Sequence, residues 1–416
     1  MSELESRRRV VVTGMGCLTP LGPTLPDTWA RVRAGESGIA PITRFDASSL
    51  PTRFAGEVPD FDPHSVIDAK WVRRMDRFQQ LAVSAAIEAL ADSSFSITAH
   101  NAERIGVIVG SGVGGIETFT QQVRRMDERG VDRVSPFLIT MMIVDLAAGL
   151  IAILLGAKGP NFATVSACAT GGHAIGEAAE CIRRGDADVM LAGGADAGVV
   201  DIALASFSSM HALSRRNDAP QRASRPFDAE RDGFVLGEGA GVLVLEDLEH
   251  ARNRGARVFA ELLGYGQSAD AHHLTEPAPH GEGAARAMRA ALRNAGMGPE
   301  AIEYINAHAT STRIGDERET EAIKSVFGAA ATAIPISATK SMTGHLFGAA
   351  GAVESIFTVL AIQEGFLPPT INYEYPDPAC DLDYIPNIGR ERRVRYAMNN
   401  AYGFGGHNVS LIFGAM

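Results

Sequence analysis

The sequence predicts an α/β protein in which helices cover mixed sheets, and two observations carry that prediction. Short apolar and β-branched runs alternate with helix-length segments along the whole chain, the pattern of α/β layers. The chain of 416 residues is too long for one simple core, yet no Pro/Ser-rich or low-complexity stretch divides it. Two intimately packed halves are expected, residues 1–255 and residues 256–416.

In chain order, the first half offers a valine-rich strand at Val10–Thr13, then strands at Arg104–Val109, Ala163–Val165, Val189–Ala192 and Gly241–Glu246. Helices are expected near Gln79–Ala91 and near Gly172–Arg183, the second ending at Gly185. In the second half Phe259–Gly266, Tyr304–Ala307, Ile334–Ser337 and Val409–Phe413 read as strands. Helices are expected near Gly283–Ala295, Glu317–Phe327 and Ala349–Gln363.

One segment could be mistaken for a membrane span. Phe137 to Leu155 is apolar over nearly a bilayer's length, with Asp145 as its only charge. A carboxylate at mid-span and the helix-ending Gly156-Ala157-Lys158-Gly159-Pro160 favour a helix buried in a protein assembly instead. Composition fits a globular chain: 46% hydrophobic, 21% charged. The net charge of −11 argues against nucleic acid as a partner. Cys17, Cys168, Cys181 and Cys380 lack the spacing of a disulfide framework, which suits a reducing compartment. Met1 to Arg9 leads straight into the first strand without a signal-peptide core, so a cytoplasmic protein is expected.

Cys168 stands at the centre of Ala163-Thr164-Val165-Ser166-Ala167-Cys168-Ala169-Thr170-Gly171-Gly172, where a strand reading meets a helix reading. A thiol on such a turn has free backbone N–H groups and a helix dipole beside it, which favour the thiolate and offer donors to an oxyanion. A buried structural cysteine is the bland alternative. His308 lies in Asn306-Ala307-His308-Ala309-Thr310-Ser311-Thr312-Arg313-Ile314-Gly315-Asp316, and His345 ends Ser337-Ala338-Thr339-Lys340-Ser341-Met342-Thr343-Gly344-His345. One cysteine with two histidines suggests metal ligation or thiolate chemistry with imidazole donors. Metal is the weaker reading, because apart from His173, five residues after Cys168, no second Cys or His lies two to five residues from any of the three. Asn399-Asn400-Ala401-Tyr402-Gly403-Phe404-Gly405-Gly406-His407-Asn408 adds glycines that permit close backbone approach or positive φ.

Together and in this order, these segments resemble the β-ketoacyl-acyl carrier protein synthases, the condensing enzymes of fatty acid synthesis, and most closely their type II, elongating form. The resemblance runs from Arg9-Val10-Val11-Val12-Thr13-Gly14-Met15-Gly16 to Gly405-Gly406-His407-Asn408-Val409-Ser410-Leu411-Ile412-Phe413, by way of Gly110-Ser111-Gly112-Val113-Gly114-Gly115 and Arg225-Pro226-Phe227-Asp228. It implies the thiolase fold, a five-layered αβαβα sandwich of two related halves, with the cysteine on the first half and both histidines on the second. The implied reaction is a decarboxylative Claisen condensation of malonyl-acyl carrier protein with an acyl chain held on Cys168. His308 and His345 would hold the enolate oxygen, and the backbone N–H groups of Cys168 and Phe404 would form the oxyanion hole. Phe404 is also the implied gate, Lys340 an electrostatic support paired with Glu354, and Asp316 a further supporting residue. Thr310 and Thr312 match positions on the pantetheine arm, while Val113 and Phe207 match walls of the acyl tunnel. Lys70, Arg73, Arg74 and Arg133 match docking positions for an acidic carrier protein, although Asp132 stands where a basic residue is common.

No metal or cofactor is implied, since substrates ride on the phosphopantetheine arm of the carrier. A homodimer is, with Phe137–Leu155 near its interface. Departures from the family pattern are Ala309 for Gly, Arg313 for Pro, Tyr402 for Phe and His407 for Thr. None removes a reacting group. The spelling Arg313, Asp316, Glu319-Thr320 hints at a type II polyketide ketosynthase as the alternative. A non-condensing partner subunit of a heterodimer is a further alternative, but such subunits typically lack the cysteine present here. Thiolases use a second active-site cysteine, and Cys380 in Asp377-Pro378-Ala379-Cys380-Asp381 lies outside the Gly-rich motif expected for it.

Overall fold

The computed structural model describes residues 8–416, so Met1 to Arg7 of the N-terminal reading lie outside the described residues. The first half contributes β1 (Val10–Leu18), β2 (Ile105–Gly110), β3 (Asn161–Phe162), β4 (Val189–Asp196) and β5 (Gly239–Asp247). The second contributes β6 (Ala260–Ala269), β7 (Tyr304–Asn306), β8 (Ile336–Ser337), β9 (Tyr396–Gly403) and β10 (His407–Gly414). Hydrogen bonds join them in the order β8-β7-β9-β10-β6-β1-β5-β4-β2-β3. Each half therefore repeats one plan. The strand order 3-2-4-5-1 of the first half returns as 8-7-9-10-6 in the second, with two parallel pairings at the outer end and two antiparallel pairings toward the junction. Only Val11↔Glu261 and Val12↔Ala260 pair across the junction. We propose that the halves divide at 255/256, within the segment that joins β5 to β6.

The helices repeat the plan as well. The first half has α1 (Arg77–Asp92), α2 (Leu146–Leu155) and α3 (Thr170–Arg184); the second has α4 (Glu282–Ala295), α5 (Arg313–Phe327) and α6 (Ala350–Glu364). Residues of one strand face different cores by the two-residue period: Val107 and Val109 join α1 and α2, whereas Ile108 joins the cluster of α3 and α6. The outer core of the second half is formed with α4 and α5. The layers are thus α1/α2, sheet, α3/α6, sheet, α4/α5, the αβαβα sandwich of the thiolase fold. Glycine sets the spacing twice over. A Cβ on Gly14 or Gly16 would lie 2.3 Å from a carbonyl of α1, and one on Gly264 or Gly266 within 2.5 Å of a carbonyl of α4, so each first strand lets its helix lie directly on the sheet.

Helices Leu25–Ala34, Ile116–Arg129 and Asp201–Ser209 add to the sequence reading, and three further differences bear on the site and its surroundings. Ala163–Val165 is not a strand; β3 is Asn161–Phe162. Beyond it, Thr164 Oγ1 donates to the Thr170 carbonyl at 3.0 Å and the Ser166 N–H donates to Thr170 Oγ1 at 2.9 Å. These bonds fold the segment onto the start of α3 instead of the sheet. The apolar run Phe137–Leu155 is not one helix but two, Leu138–Met142 and Leu146–Leu155, separated at an extended Ile143. Asp145 sits at the start of the second, where a carboxylate complements the helix dipole. Among the described residues no helix is long and apolar enough to cross a membrane. Finally, β9 was absent from the sequence reading because Asn399-Asn400 disfavours a strand; both amides are buried and bonded, Asn399 to Gly351 O and Ser355 Oγ, Asn400 to Ser410 Oγ.

Candidate active site

The two central helices start at matching points of the two halves, and the reactive groups gather there. Cys168 lies on a 3₁₀ turn, Ala167–Ala169, that opens α3. The equivalent turn, Phe347–Ala349, opens α6 just after His345. His308 follows the end of β7. Each is flanked by a non-glycine residue in the left-handed region: Ala167 at φ 50°, Phe347 at 47° and Ala309 at 28°, with Ser311 at 71°. Such backbone is costly for residues with a Cβ and persists where the surroundings over-determine it. Gly403 completes the turn, because a Cβ there would come within 2.5 Å of Ser166 O and 3.1 Å of Cys168 N. The Phe404 backbone can therefore approach the cysteine.

Cys168 Sγ and His345 Nε2 are 2.9 Å apart. The His308 ring stands nearly perpendicular to that of His345, centroids 5.4 Å apart. Lys340 Nζ is 3.3 Å from His308 Nδ1 and 2.5 Å from Glu354 Oε1. An ammonium only donates, so Nδ1 of His308 accepts and its proton resides on Nε2. Burial, reinforced by Lys340, holds both imidazoles well below the usual histidine range, so they are neutral donors. Burial raises the Glu354 carboxyl to about 7 against the pull of Lys340.

Glu319 accepts from the N–H groups of His308 at 2.9 Å and Ala309 at 2.7 Å, and burial lifts it to about 7. Asp316 accepts from Phe227 N–H at 2.8 Å and Ser311 N–H at 3.1 Å, pairs with Arg231 at 3.6 Å, and is lifted by burial to about 6. The thiol corrects the sequence reading. Burial pushes Cys168 up to about 12, and Lys340 and the N–H groups of Phe404 and Cys168 offset only part of this. Desolvation outweighs the helix terminus, so the resting group is a thiol.

Ligand atoms of Cys168, His308 and His345 lie within 4.8 Å of one another. Spacing along the chain therefore does not separate metal ligation from thiol chemistry. Charge bears on it instead: the Lys340 ammonium sits 3.3 Å behind one imidazole, and a cation there opposes a second one.

The three residues line a cavity of about 430 Å³ shared with Thr310, Thr312 and Phe404. The Thr310 and Thr312 hydroxyls are 3.1 Å apart. Val113 and Phe207 are not on its wall. Val113 is 39% exposed, its N–H on Asp196 Oδ1 at 3.1 Å. Phe207 stacks on Phe347 at 5.2 Å, one ring behind a residue that does line the cavity. Sequence reasoning missed Phe347 and Phe234, whose rings lie 4.9 and 5.7 Å from that of His345. It also missed Asp196, a buried carboxylate that accepts from Ser111 Oγ and the N–H groups of Gly112, Val113 and Gly348. Its position beside Gly193-Gly194 was the only signal.

Lys70, Arg73, Arg74 and Arg133 are exposed, on or after the short helix Ala69–Val72 and in the turn Val131–Arg133. None has an ion-pair partner among the described residues; Arg74 lies 4.9 Å over the Phe137 ring.

A duplicated thiolase fold with one cysteine and two histidines gathered at its seam is that of an acyltransferase. The family profile "Beta-ketoacyl synthase, N-terminal domain" matches residues 7–251, and "Beta-ketoacyl synthase, C-terminal domain" matches residues 259–374. The chain belongs to the β-ketoacyl synthase family. It is 51% identical over 413 residues to the 3-oxoacyl-[acyl-carrier-protein] synthase 2 of Synechocystis sp., covering 99% of each chain. It is 50% identical over 410 residues to the protein of that name from Staphylococcus aureus, again covering 99% of each. Among solved structures it resembles the ishigamide ketosynthase/chain length factor, with a TM-score of 0.92, 40% identity and coverage of 99% of this chain and 100% of that one.

Proposed function

We propose that this chain elongates fatty acids by condensing malonyl-acyl carrier protein with an acyl group held on Cys168, and that Cys168, His308, His345 and Lys340 carry the chemistry. The observation that carries the reading is the 2.9 Å contact of Cys168 Sγ with His345 Nε2, beside a His308 whose proton is fixed on Nε2. In the first step the sulfur attacks the acyl thioester, the arm leaves as a thiol with the proton, and an acyl-Cys168 thioester remains. In the second, the malonyl C–CO₂ bond breaks and CO₂ departs. Two neutral imidazole N–H donors hold the enolate oxygen. The carbanion forms the new C–C bond at the acyl carbonyl, whose oxyanion is held by the N–H groups of Cys168 and Phe404. Collapse expels the Cys168 thiolate, which regains a proton from solvent.

Thr310 and Thr312 bind the pantetheine arm, Phe404 gates the acyl side, and Glu354 and Asp316 hold Lys340 and the Ser311 turn. We assign Val113 and Phe207 to an acyl tunnel that continues behind Phe347, outside the cavity that reaches Cys168. The cycle needs no metal or other cofactor. We assign a homodimer to the exposed apolar residues Phe137, Ile139, Ile153, Phe162 and Val165, which are 37–61% exposed; Phe162 belongs to the edge strand β3, and such an edge with exposed apolar side chains demands cover. The cytoplasm is the proposed location. A type II polyketide ketosynthase is the second reading. It is favoured by Arg313 and the ishigamide likeness, but weighed down by an identity of 40% against 51% for the fatty-acid relative.

The test is acyl-adduct mass on the intact protein. Cys168→Ala should abolish it, and Cys168→Gln should lose condensation while retaining malonyl decarboxylation. An adduct that persists on another cysteine, or a folded Gln variant without decarboxylation, would refute the division of labour.

A further inference from the structure

Arg313 is a cation in the wrong place for the helix that carries it. It is the first residue of α5, where the helix dipole disfavours positive charge. Its guanidinium makes a single long hydrogen bond, Nε to Arg231 O at 3.4 Å, and has no ion-pair partner among the described residues. Its neighbours are committed. Arg231 holds Asp377 at 2.6 Å and Asp316 at 3.6 Å, and Arg318 holds Glu321 at 2.7 Å. Asp377, the carboxylate Arg313 influences, is thus already taken.

Arg313 is exposed, yet it lines the catalytic cavity, directly after Thr310 and Thr312. His211, an exposed wall residue of the same cavity, accepts from Arg215 Nη2 at 3.1 Å through Nδ1, which leaves an Nε2–H donor. Arg215 also has no carboxylate partner for its side chain among the described residues. The acids lining this cavity are Asp232, Asp270, Glu276 and Glu319; Asp270 accepts from Ala278 N–H and Asn408 Nδ2, and Glu319 from the N–H groups of His308 and Ala309. Asp232 accepts from Arg215 N–H at 3.1 Å and lies 3.8 Å from Arg216.

An unpaired fork set against a helix dipole, at the opening of a cavity that ends in the reactive thiol, is a site for an external anion. We propose that Arg313 binds the phosphodiester of the carrier-borne arm, and so selects phosphorylated arms over phosphate-free thioesters. This rests on the condensing reading above, in which the substrate thioester enters on that arm.

The experiment compares malonyl-4′-phosphopantetheine with malonyl-pantetheine as decarboxylation substrates, in the parent and in Arg313→Ala and Arg313→Gln. The readout is the ratio of kcat/KM for the two donors, which differ only in the phosphate. The parent should favour the phosphorylated donor by about tenfold, as one charge-assisted pair warrants, and both variants should bring the ratio toward one. Because the ratio is taken within one protein, loss of folded material cancels; should Arg313→Ala not fold, Arg313→Gln decides. A ratio that survives in the variants, or a parent ratio of one, overturns the proposal. A parent that decarboxylates neither donor overturns the condensing reading itself.

Discussion

At the scale of single residues, the thiol is governed by burial, and this has a measurable consequence. With Cys168 pushed up to about 12, thiolate below that value grows tenfold for each unit of pH. Alkylation of Cys168 by iodoacetamide, followed by mass, should therefore rise steadily between about pH 7 and pH 9 without a plateau. Lys340→Met should slow it at every pH, since Lys340 is the largest influence opposing burial. A plateau below about pH 8 would show that the helix terminus wins after all. The same residues mark what was legible in the sequence. Cys168, His308, Lys340 and His345 each sit in a contiguous motif, so they could be read locally. Glu319 and Asp196 could not, because they act by accepting backbone N–H groups 10 to 152 residues away, a relation that only the folded chain creates.

At the scale of elements, regular apolar periodicity is legible and breaks in it are not: Phe137–Leu155 reads as one helix but is interrupted at Ile143. Strands and helices with unbroken apolar periodicity fell within a few residues of their expected positions. The elbow before Cys168 and strand β9 did not, because side-chain hydrogen bonds of Thr164, Thr170 and Asn399 override local propensity there. The segment Ser111–Gly115 shows the functional side of such pinning. Gly112 and Val113 donate to Asp196 at 2.9 and 3.1 Å, and Gly348 donates to the same carboxylate. A larger side chain at Val113 cannot be relieved by backbone movement. Val113→Phe should consequently shorten the acyl tunnel, sparing a six-carbon primer and excluding a fourteen-carbon one. At roughly 1–3 kcal/mol per methylene, kcat/KM for the long primer should fall by orders of magnitude. An equal fall for both lengths would make Val113 a support of the fold.

At the scale of the whole molecule, the duplicated plan was legible only as alternation, since the repeat lies in strand order and helix placement, not in spelling. Its result is that helices α3 and α6 aim both halves' chemistry at one seam. Charge is distributed less evenly. The chain carries a net −11, so an acidic carrier, which the family resemblance implies, would have to be drawn by a local patch against the overall field. Lys70, Arg73, Arg74 and Arg133 are exposed and unpaired among the described residues, which leaves their charge available to a partner. Asp132 beside Arg133 is the one opposing charge in that turn. Reversing both Arg73 and Arg74 to Glu should raise KM for carrier-linked malonyl several-fold at low ionic strength and flatten its salt dependence. KM for malonyl-pantetheine, which has no carrier to dock, should respond far less. An unchanged carrier KM at low salt would remove these two arginines from the docking surface and leave Lys70 and Arg133 to account for it.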